Sequence, residues 1–171
     1  MPLGASPVVC GRSDGDLVVP GETVSRHHAR FLVRDGHAVV EDLGSLNGTW
    51  IRLRAPRPLG FGDEIRIGDQ RLRLAWTPAG AVLEELGTSG VSFAIHTLRA
   101  GATSIGRAGD LRLDHVDPRH ARLESTPTGH IISDLGSRTG TWLRLAAPEP
   151  LEAGDELLLG AERLRVESAE G

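Results

Sequence analysis

Ala29-Arg30-Phe31-Leu32-Val33-Arg34-Asp35-Gly36-His37-Ala38-Val39-Val40-Glu41-Asp42 decides the fold class. Two short runs rich in branched and aromatic residues flank Asp35-Gly36, a dipeptide that suits a tight hairpin turn because both positions tolerate positive φ. The same design returns downstream. Glu64-Ile65-Arg66-Ile67 and Gln70-Arg71-Leu72-Arg73-Leu74 alternate apolar and polar residues on either side of Gly68-Asp69, and Glu156 to Val166 behaves likewise around Gly160-Ala161. The 22 Gly and 10 Pro are spread along the chain rather than bunched, as many short strands joined by turns require. The one helical candidate, Ala81-Val82-Leu83-Glu84-Glu85-Leu86, is too short to hold a helix by itself. The expectation is an all-β chain of sandwich or barrel type.

Outward from that hairpin, the chain repeats itself at an offset of 92 positions. His28-Ala29-Arg30 falls on His120-Ala121-Arg122, Asp42-Leu43-Gly44-Ser45 on Asp134-Leu135-Gly136-Ser137, and Gly48-Thr49-Trp50 on Gly140-Thr141-Trp142. Pro58-Leu59, Gly62-Asp63-Glu64 and Arg71-Leu72-Arg73 have counterparts at the same offset, and Gly11-Arg12 matches Gly106-Arg107 at an offset of 95. Repeats of this kind mark duplicated structural units. The expected organisation is a first domain over 1–75, a linker over 76–80 containing Thr77-Pro78-Ala79-Gly80, and a second domain over 81–171. Repeat one has only ten residues before Gly11, whereas about 25 of repeat two precede Gly106. A first strand is therefore expected to be missing from repeat one. The uncovered edge invites pairing with a second copy of the chain, that is, a homodimer through the N-terminal edge of domain 1.

Composition narrows the function classes. All 19 basic residues are Arg, and the formal charge is −4. Residues 1–75 hold 10 Arg against 9 acids, while 76–171 hold 9 Arg against 14 acids. Neither half carries the basic stripe of a nucleic-acid binder. With Cys10 as the single cysteine, no internal disulfide is possible. Met1 to Pro7 lacks the charged and apolar regions of a secretory signal, and no window is apolar enough for a membrane helix. A cytoplasmic location follows as the expectation, and the Arg-only usage suits a GC-rich bacterial coding sequence.

Three blocks of repeat one carry chemistry: Cys10-Gly11-Arg12-Ser13, Val24-Ser25-Arg26-His27-His28-Ala29 and Leu43-Gly44-Ser45-Leu46-Asn47-Gly48-Thr49-Trp50. In this order and spacing they resemble the forkhead-associated (FHA) domain, with its Gly-Arg, Ser-x-x-His and Asn-Gly-Thr blocks, and the resemblance spans both repeats. It implies two tandem sandwiches, each of two twisted antiparallel sheets, with phosphothreonine peptides bound by loops at one end. It also implies roles. Arg12 and Ser25 match phosphate contacts, with Arg26 beside them, and Asn47 matches the residue that bonds the peptide main chain. Gly11, His28, Gly48 and Thr49 match structural positions, His28 bracing the loop that carries Ser25. The chemistry is coherent, because a phosphothreonine brings about −1.5 to −2 charge and three acceptor oxygens. A guanidinium answers these with charge-assisted bonds and a hydroxyl with a neutral one. Where the family often has Ser or Thr before the Asn, this chain has Leu46, an apolar surface residue.

Repeat two departs from that pattern. Arg107 remains, but Ser25 becomes Asp117, Arg26 becomes Pro118 with no N–H to donate, and Asn47 becomes Thr139. A carboxylate where phosphate oxygens would land repels them. The site is expected to be degenerate, with Asp117 paired to Arg107.

Competing readings of the same residues are weaker. His27 and His28 are adjacent on an extended segment and so point to opposite faces, which does not suit a metal. Ser25, His28 and Asp42 have the residue types of a hydrolase triad but lack a nucleophile elbow, and the repeat replaces the serine with Asp117. Asn47-Gly48 reads as a type I′ turn as well as a peptide contact. The expected function is a non-enzymatic, cofactor-free adaptor that binds a threonine-phosphorylated protein, a Ser/Thr kinase or its substrate. The alternatives are a phosphate-independent scaffold and the assembly module of a larger complex such as a secretion system.

Overall fold

The structure is a computed structural model that describes Gly4 and residues 6–168. Every regular element among the described residues is a strand. In chain order they are β1 (Val8–Gly11), β2 (Leu17–Val18), β3 (Ala29–Arg34), β4 (His37–Asp42), β5 (Thr49–Arg52), β6 (Arg57–Leu59), β7 (Glu64–Ile67), β8 (Gln70–Thr77) and β9 (Gly80–Leu86). There follow β10 (Ser92–Thr97), β11 (Gly101–Gly106), β12 (Leu111–Arg112), β13 (Ala121–Thr126), β14 (Gly129–Asp134), β15 (Thr141–Arg144), β16 (Glu149–Leu151), β17 (Glu156–Leu159) and β18 (Glu162–Arg165). The β3–β4 hairpin turns at Asp35 and Gly36, both with positive φ (52° and 79°), as the dipeptide demanded. The six-residue helical candidate is instead strand β9, whose Val82, Leu83 and Leu86 are buried.

The compact units do not follow the expected partition at residues 75 and 81. One unit comprises Met1–Arg52 with Arg144–Gly171, and the other is Leu53–Leu143. In unit 1 a five-stranded sheet runs β16-β4-β3-β1-β2, and β17 pairs with β5 and β18. In unit 2 a five-stranded sheet runs β12-β11-β13-β14-β6, and a second runs β10-β9-β8-β7-β15. Each unit is thus completed by the closing strands of the other repeat. Glu149, Pro150 and Leu151 pair with Val40, Val39 and Ala38, while Arg57, Pro58 and Leu59 pair with Ile132, Ile131 and His130. Residues 76–80 are correspondingly no linker. Thr77 and Gly80 pair across the tight turn of the β8–β9 hairpin, and the Thr77 hydroxyl donates to the Gly80 carbonyl at 2.9 Å. The physical reason is the repeat itself. Pro58-Leu59 and Pro150-Leu151 present the same backbone and the same buried leucine, so either copy completes either sheet.

Alternation sets the cores. Ile65 and Ile67 of β7 are fully buried while Glu64 and Arg66, which alternate with them, are not, as period-two strands with one face inward require. Trp50 and Trp142, at equivalent positions, are buried, and their indole N–H groups donate to the carbonyls of Asn47 and Thr139. Most pairing is antiparallel, but β1–β2 and β11–β12 are short parallel ladders that the pattern did not suggest. The expected deficit in repeat one takes a definite form. In unit 2, β9 and then β10 extend the sheet beyond β8, whereas in unit 1 the sheet ends at β18, the counterpart of β8.

Leu157 is fully buried in unit 1, opposite Ile51, although repeat two encodes it. Leu157→Ala is expected to destabilise the unit that carries Arg12 by about 2–5 kcal/mol, read as a shifted midpoint in urea unfolding followed through Trp50.

Candidate functional site

The three blocks of repeat one meet at one end of unit 1, where backbone and side-chain bonds lace their loops together. Gly11 closes β1 so tightly that a Cβ there would lie 1.6 Å from the Arg26 carbonyl oxygen, which only glycine allows. This closeness sets Arg12 against the second block, and the Arg12 N–H donates to the Ser25 carbonyl at 3.0 Å. The Arg12 side chain is exposed. Ser25 joins the second block to the third, its Oγ accepting from the Leu46 N–H at 3.1 Å. Asn47 ties back, its amide Nδ2 donating to the Thr23 carbonyl at 2.9 Å. Arg26 is exposed beside this junction, and Leu46 stands 84% exposed on its rim.

Beneath the loops lies His28, fully buried. Its Nδ1 accepts from the Ser25 N–H at 3.0 Å, and its Nε2 sits 2.9 Å from the Gly48 carbonyl. An amide N–H only donates, so Nδ1 must be the unprotonated nitrogen and Nε2 carries the hydrogen. Burial pushes the His28 pKa down against the smaller opposing pull of the Gly48 carbonyl and the Asp42 charge, which keeps the ring neutral. His27, its neighbour, faces solvent. Both ring nitrogens of His28 are taken by main chain, and the Ser25 hydroxyl is bonded to Leu46, so the triad arrangement does not assemble.

Asp42, which sequence reading registered as part of the repeat and of a rejected triad, is a hub of loop bonds. One carboxylate oxygen accepts from the N–H groups of Gly44 and Ser45 at 3.0 and 2.9 Å, and the other from the hydroxyls of Ser45 and Thr49, both at 2.6 Å. Burial alone would raise its pKa. The hydroxyls of Ser45 and Thr49, the Ser45 N–H and nearby His28 outweigh this and hold it below the usual carboxylate value. The Ser45 hydroxyl in turn accepts from the Gly48 N–H at 3.0 Å. Gly48 has φ of 82°, but Asn47 lies outside the positive-φ region, so the Asn47-Gly48 turn is not type I′.

Unit 2 repeats the scaffold and changes the surface. His120 is fully buried, with Nε2 2.9 Å from the Gly140 carbonyl, and Asp134 organises Gly136, Ser137 and Thr141 as Asp42 does its counterparts. Asp117 takes the place of Ser25. Its carboxylate accepts from the Arg138 N–H at 2.8 Å and from the Arg138 Nε at 3.1 Å. These bonds, the backbone one foremost, hold its pKa below the usual range. The expected pairing of Asp117 with Arg107 is thereby corrected. Arg138 adjoins Asp117 through a backbone bond already made, and only the main chain of Arg107 reaches it, donating to the Asp117 carbonyl at 3.1 Å. Thr139, in place of Asn47, is exposed, and the buried Nδ1 of His120 has no hydrogen-bond partner.

Thr23, Gly160 and Ala161 also join this loop cluster, and sequence reading missed them. The Thr23 hydroxyl accepts from the Ala161 N–H at 2.9 Å, and the Gly160 N–H donates to the Gly48 carbonyl at 3.1 Å. No signal at the linear level connects residues 138 positions apart.

Comparison with known proteins agrees with this geometry. The family described as FHA domain matches residues 8–68 and 103–160. The chain belongs to the FHA-domain family. An oxoglutarate dehydrogenase inhibitor of Corynebacterium efficiens is 45% identical over 69 residues, 39% of this chain and 48% of that protein. Glycogen accumulation regulator GarA of Mycolicibacterium smegmatis is 45% identical over 62 residues, covering 34% of this chain and 39% of GarA. GarA of Mycobacterium tuberculosis is 44% identical over 62 residues. Each match spans less than half the length of the relative. FHA domains are modules of phosphothreonine-dependent signalling, and these relatives bear the names of regulators and inhibitors. No helix among the described residues is long and apolar enough to cross a membrane.

The lowered pKa of His28 carries a pH signature. Unfolded, the ring takes up a proton near pH 6.5, and folded only at lower pH, so the folded state binds fewer protons between the two values. This contribution to stability is complete above about pH 6.5 and is lost as pH falls through the folded pKa. The urea midpoint is expected to drop between pH 7 and pH 5, and the drop to shrink in His28→Gln.

Proposed function

We propose that this chain is a phosphothreonine-dependent adaptor in Ser/Thr kinase signalling, and that unit 1 binds the phosphorylated partner. One observation carries the reading: the loops of Arg12, Ser25 and Asn47, from three separate blocks, are laced together by hydrogen bonds through Ser25, Leu46 and Thr23, and Arg12 itself is exposed. In this reading Arg12 supplies the charge-assisted contact to the phosphate, and the Ser25 hydroxyl, which can accept from Leu46 and still donate, gives a second. Arg26 adds a further cation, and Asn47, its Nδ2 engaged with Thr23, offers Oδ1 to the peptide main chain. Gly11, His28, Gly48 and Thr49 hold these groups in place. The site does no covalent chemistry and takes no cofactor. It recognises a dianion on a threonine, and the regulator names of the relatives support control of a partner enzyme by binding alone.

Unit 2 is read as unable to take phosphate. Asp117 puts a carboxylate on the loop amide that Ser25 Oγ serves in unit 1, and it is held ionised there by Arg138. A dianion brought to that position meets a like charge at contact distance. For unit 2, then, a phosphate-independent role as scaffold is favoured. The second partner reading is a further copy of this chain pairing at the open edge of β18. Analytical ultracentrifugation showing only monomer at every concentration tried discards it.

A phosphothreonine peptide library presented to the full chain tests the main reading. Truncating one member of a desolvated charge pair costs several kcal/mol, so Arg12→Ala is expected to weaken binding by roughly 30-fold or more. Arg107→Ala is expected to change it less than about twofold. Equal losses in the two variants, or equal affinity for the unphosphorylated peptides, would overturn the assignment.

A further inference from the structure

The loops that gather the proposed site of unit 1 are not held by repeat one alone. Two of them rest on the hairpin turn between β17 and β18, which belongs to repeat two. The Gly160 N–H donates to the Gly48 carbonyl, the same oxygen that lies 2.9 Å from His28 Nε2. The Ala161 N–H donates to the Thr23 hydroxyl, and the Thr23 carbonyl accepts from Asn47 Nδ2. The turn fits closely. Gly160 has φ of 61°, and a Cβ there would come within 2.5 Å of the Thr23 carbonyl oxygen and 2.6 Å of its Oγ1. One turn therefore touches both the loop that leads to Ser25 and the loop that carries Asn47.

The sequence counterpart of this turn in repeat one is Gly68-Asp69, at the same offset of 92 as the other repeated blocks. It lies in unit 2, where a Cβ on Gly68 (φ 59°) would meet Val116 at 2.9 Å. Val116 is the counterpart of Val24, and the residue before it is His115, which has no hydroxyl to offer where Thr23 stands.

We propose that the site of unit 1 is composite: the Gly160-Ala161 turn of the second repeat positions the Thr23 and Asn47-Gly48 loops of the first. Phosphopeptide affinity then depends on Gly160 and not on its counterpart Gly68. The inference rests on the phosphothreonine reading for its affinity readout, but it also predicts loop order independently of any ligand. It gives repeat two a role at the phosphate site even though its own pocket is closed by Asp117. Gly160 and Ala161 act here as positioning residues; they touch the loops rather than the peptide.

The test uses the full chain and two pairs of variants. Gly160→Ala and Gly68→Ala each place a Cβ at positive φ, so both are expected to lower the melting temperature, Gly160→Ala the more because its Cβ meets the Thr23 backbone oxygen rather than one side-chain methyl. Only Gly160→Ala is expected to weaken phosphothreonine-peptide binding, by about tenfold, with Gly68→Ala within about twofold. Thr23→Val, which removes the acceptor for the Ala161 N–H, is expected to cost about fivefold, and Thr23→Ser to restore it. Amide hydrogen exchange gives the second readout. Ser25 and Gly48 are expected to exchange faster in Gly160→Ala and to be unchanged in Gly68→Ala. Loss of affinity and protection in Gly68→Ala rather than Gly160→Ala would overturn the proposal, as would equal effects in both. A wild-type chain that binds no phosphothreonine peptide would sink the functional reading instead, and the exchange pattern would still decide the clamp.

Discussion

A buried, neutral imidazole joins the loops at the end of unit 1. His28 accepts from the Ser25 N–H on one ring nitrogen and donates to the Gly48 carbonyl from the other. A protonated ring would have no lone pair for Ser25, and burial penalises that charge, so the loop positions and the protonation state of His28 are one constraint. What lies above the ring follows from it. Ser25 is held where its Oγ meets Leu46, and Gly48 where the Asn47 side chain reaches Thr23. Binding groups on loops need such bracing, because a loop that must be ordered at the moment of binding charges its entropy against affinity.

The second support is the Asp42 carboxylate with its four donors, which fixes the backbone from Gly44 to Thr49. Asp134 does the same in unit 2. The two units therefore share the carboxylate hub and the histidine Nε2 bond, while the bond to His28 Nδ1 has no counterpart at His120. Where unit 1 has the Ser25 hydroxyl on the second loop, accepting from the third, unit 2 has the Asp117 carboxylate bound to Arg138. The frame's parts are mutually dependent, each carboxylate holding the three equivalent loop residues.

The exchange of closing strands ties the repeats more firmly than a linker would. With β16 on β4 and β6 on β14, neither repeat owns a complete set of sheet partners. The Gly160-Ala161 turn carries that dependence up to the Thr23 and Gly48 loops.

Much of this was legible in the chain. Strand alternation, the Asp35-Gly36 turn and the repeat at 92 positions determined an all-β duplicated protein, because each rests on contacts between near neighbours or on identity between copies. The spacing of Arg12, Ser25, His28 and Asn47 also pointed to blocks whose loops the fold brings together, since those residue types serve local loop geometry. The boundary at residue 75, the linker over 76–80, the partner of Asp117 and the contacts of Thr23 were decided only by the tertiary structure. The reason is degeneracy. Two copies with the same pattern offer the same pairing to either partner, and a strand's hydrogen bonds do not record which repeat supplied it. Which β6 or β16 closes which sheet depends on the path of the whole chain, and no stretch of sequence contains that.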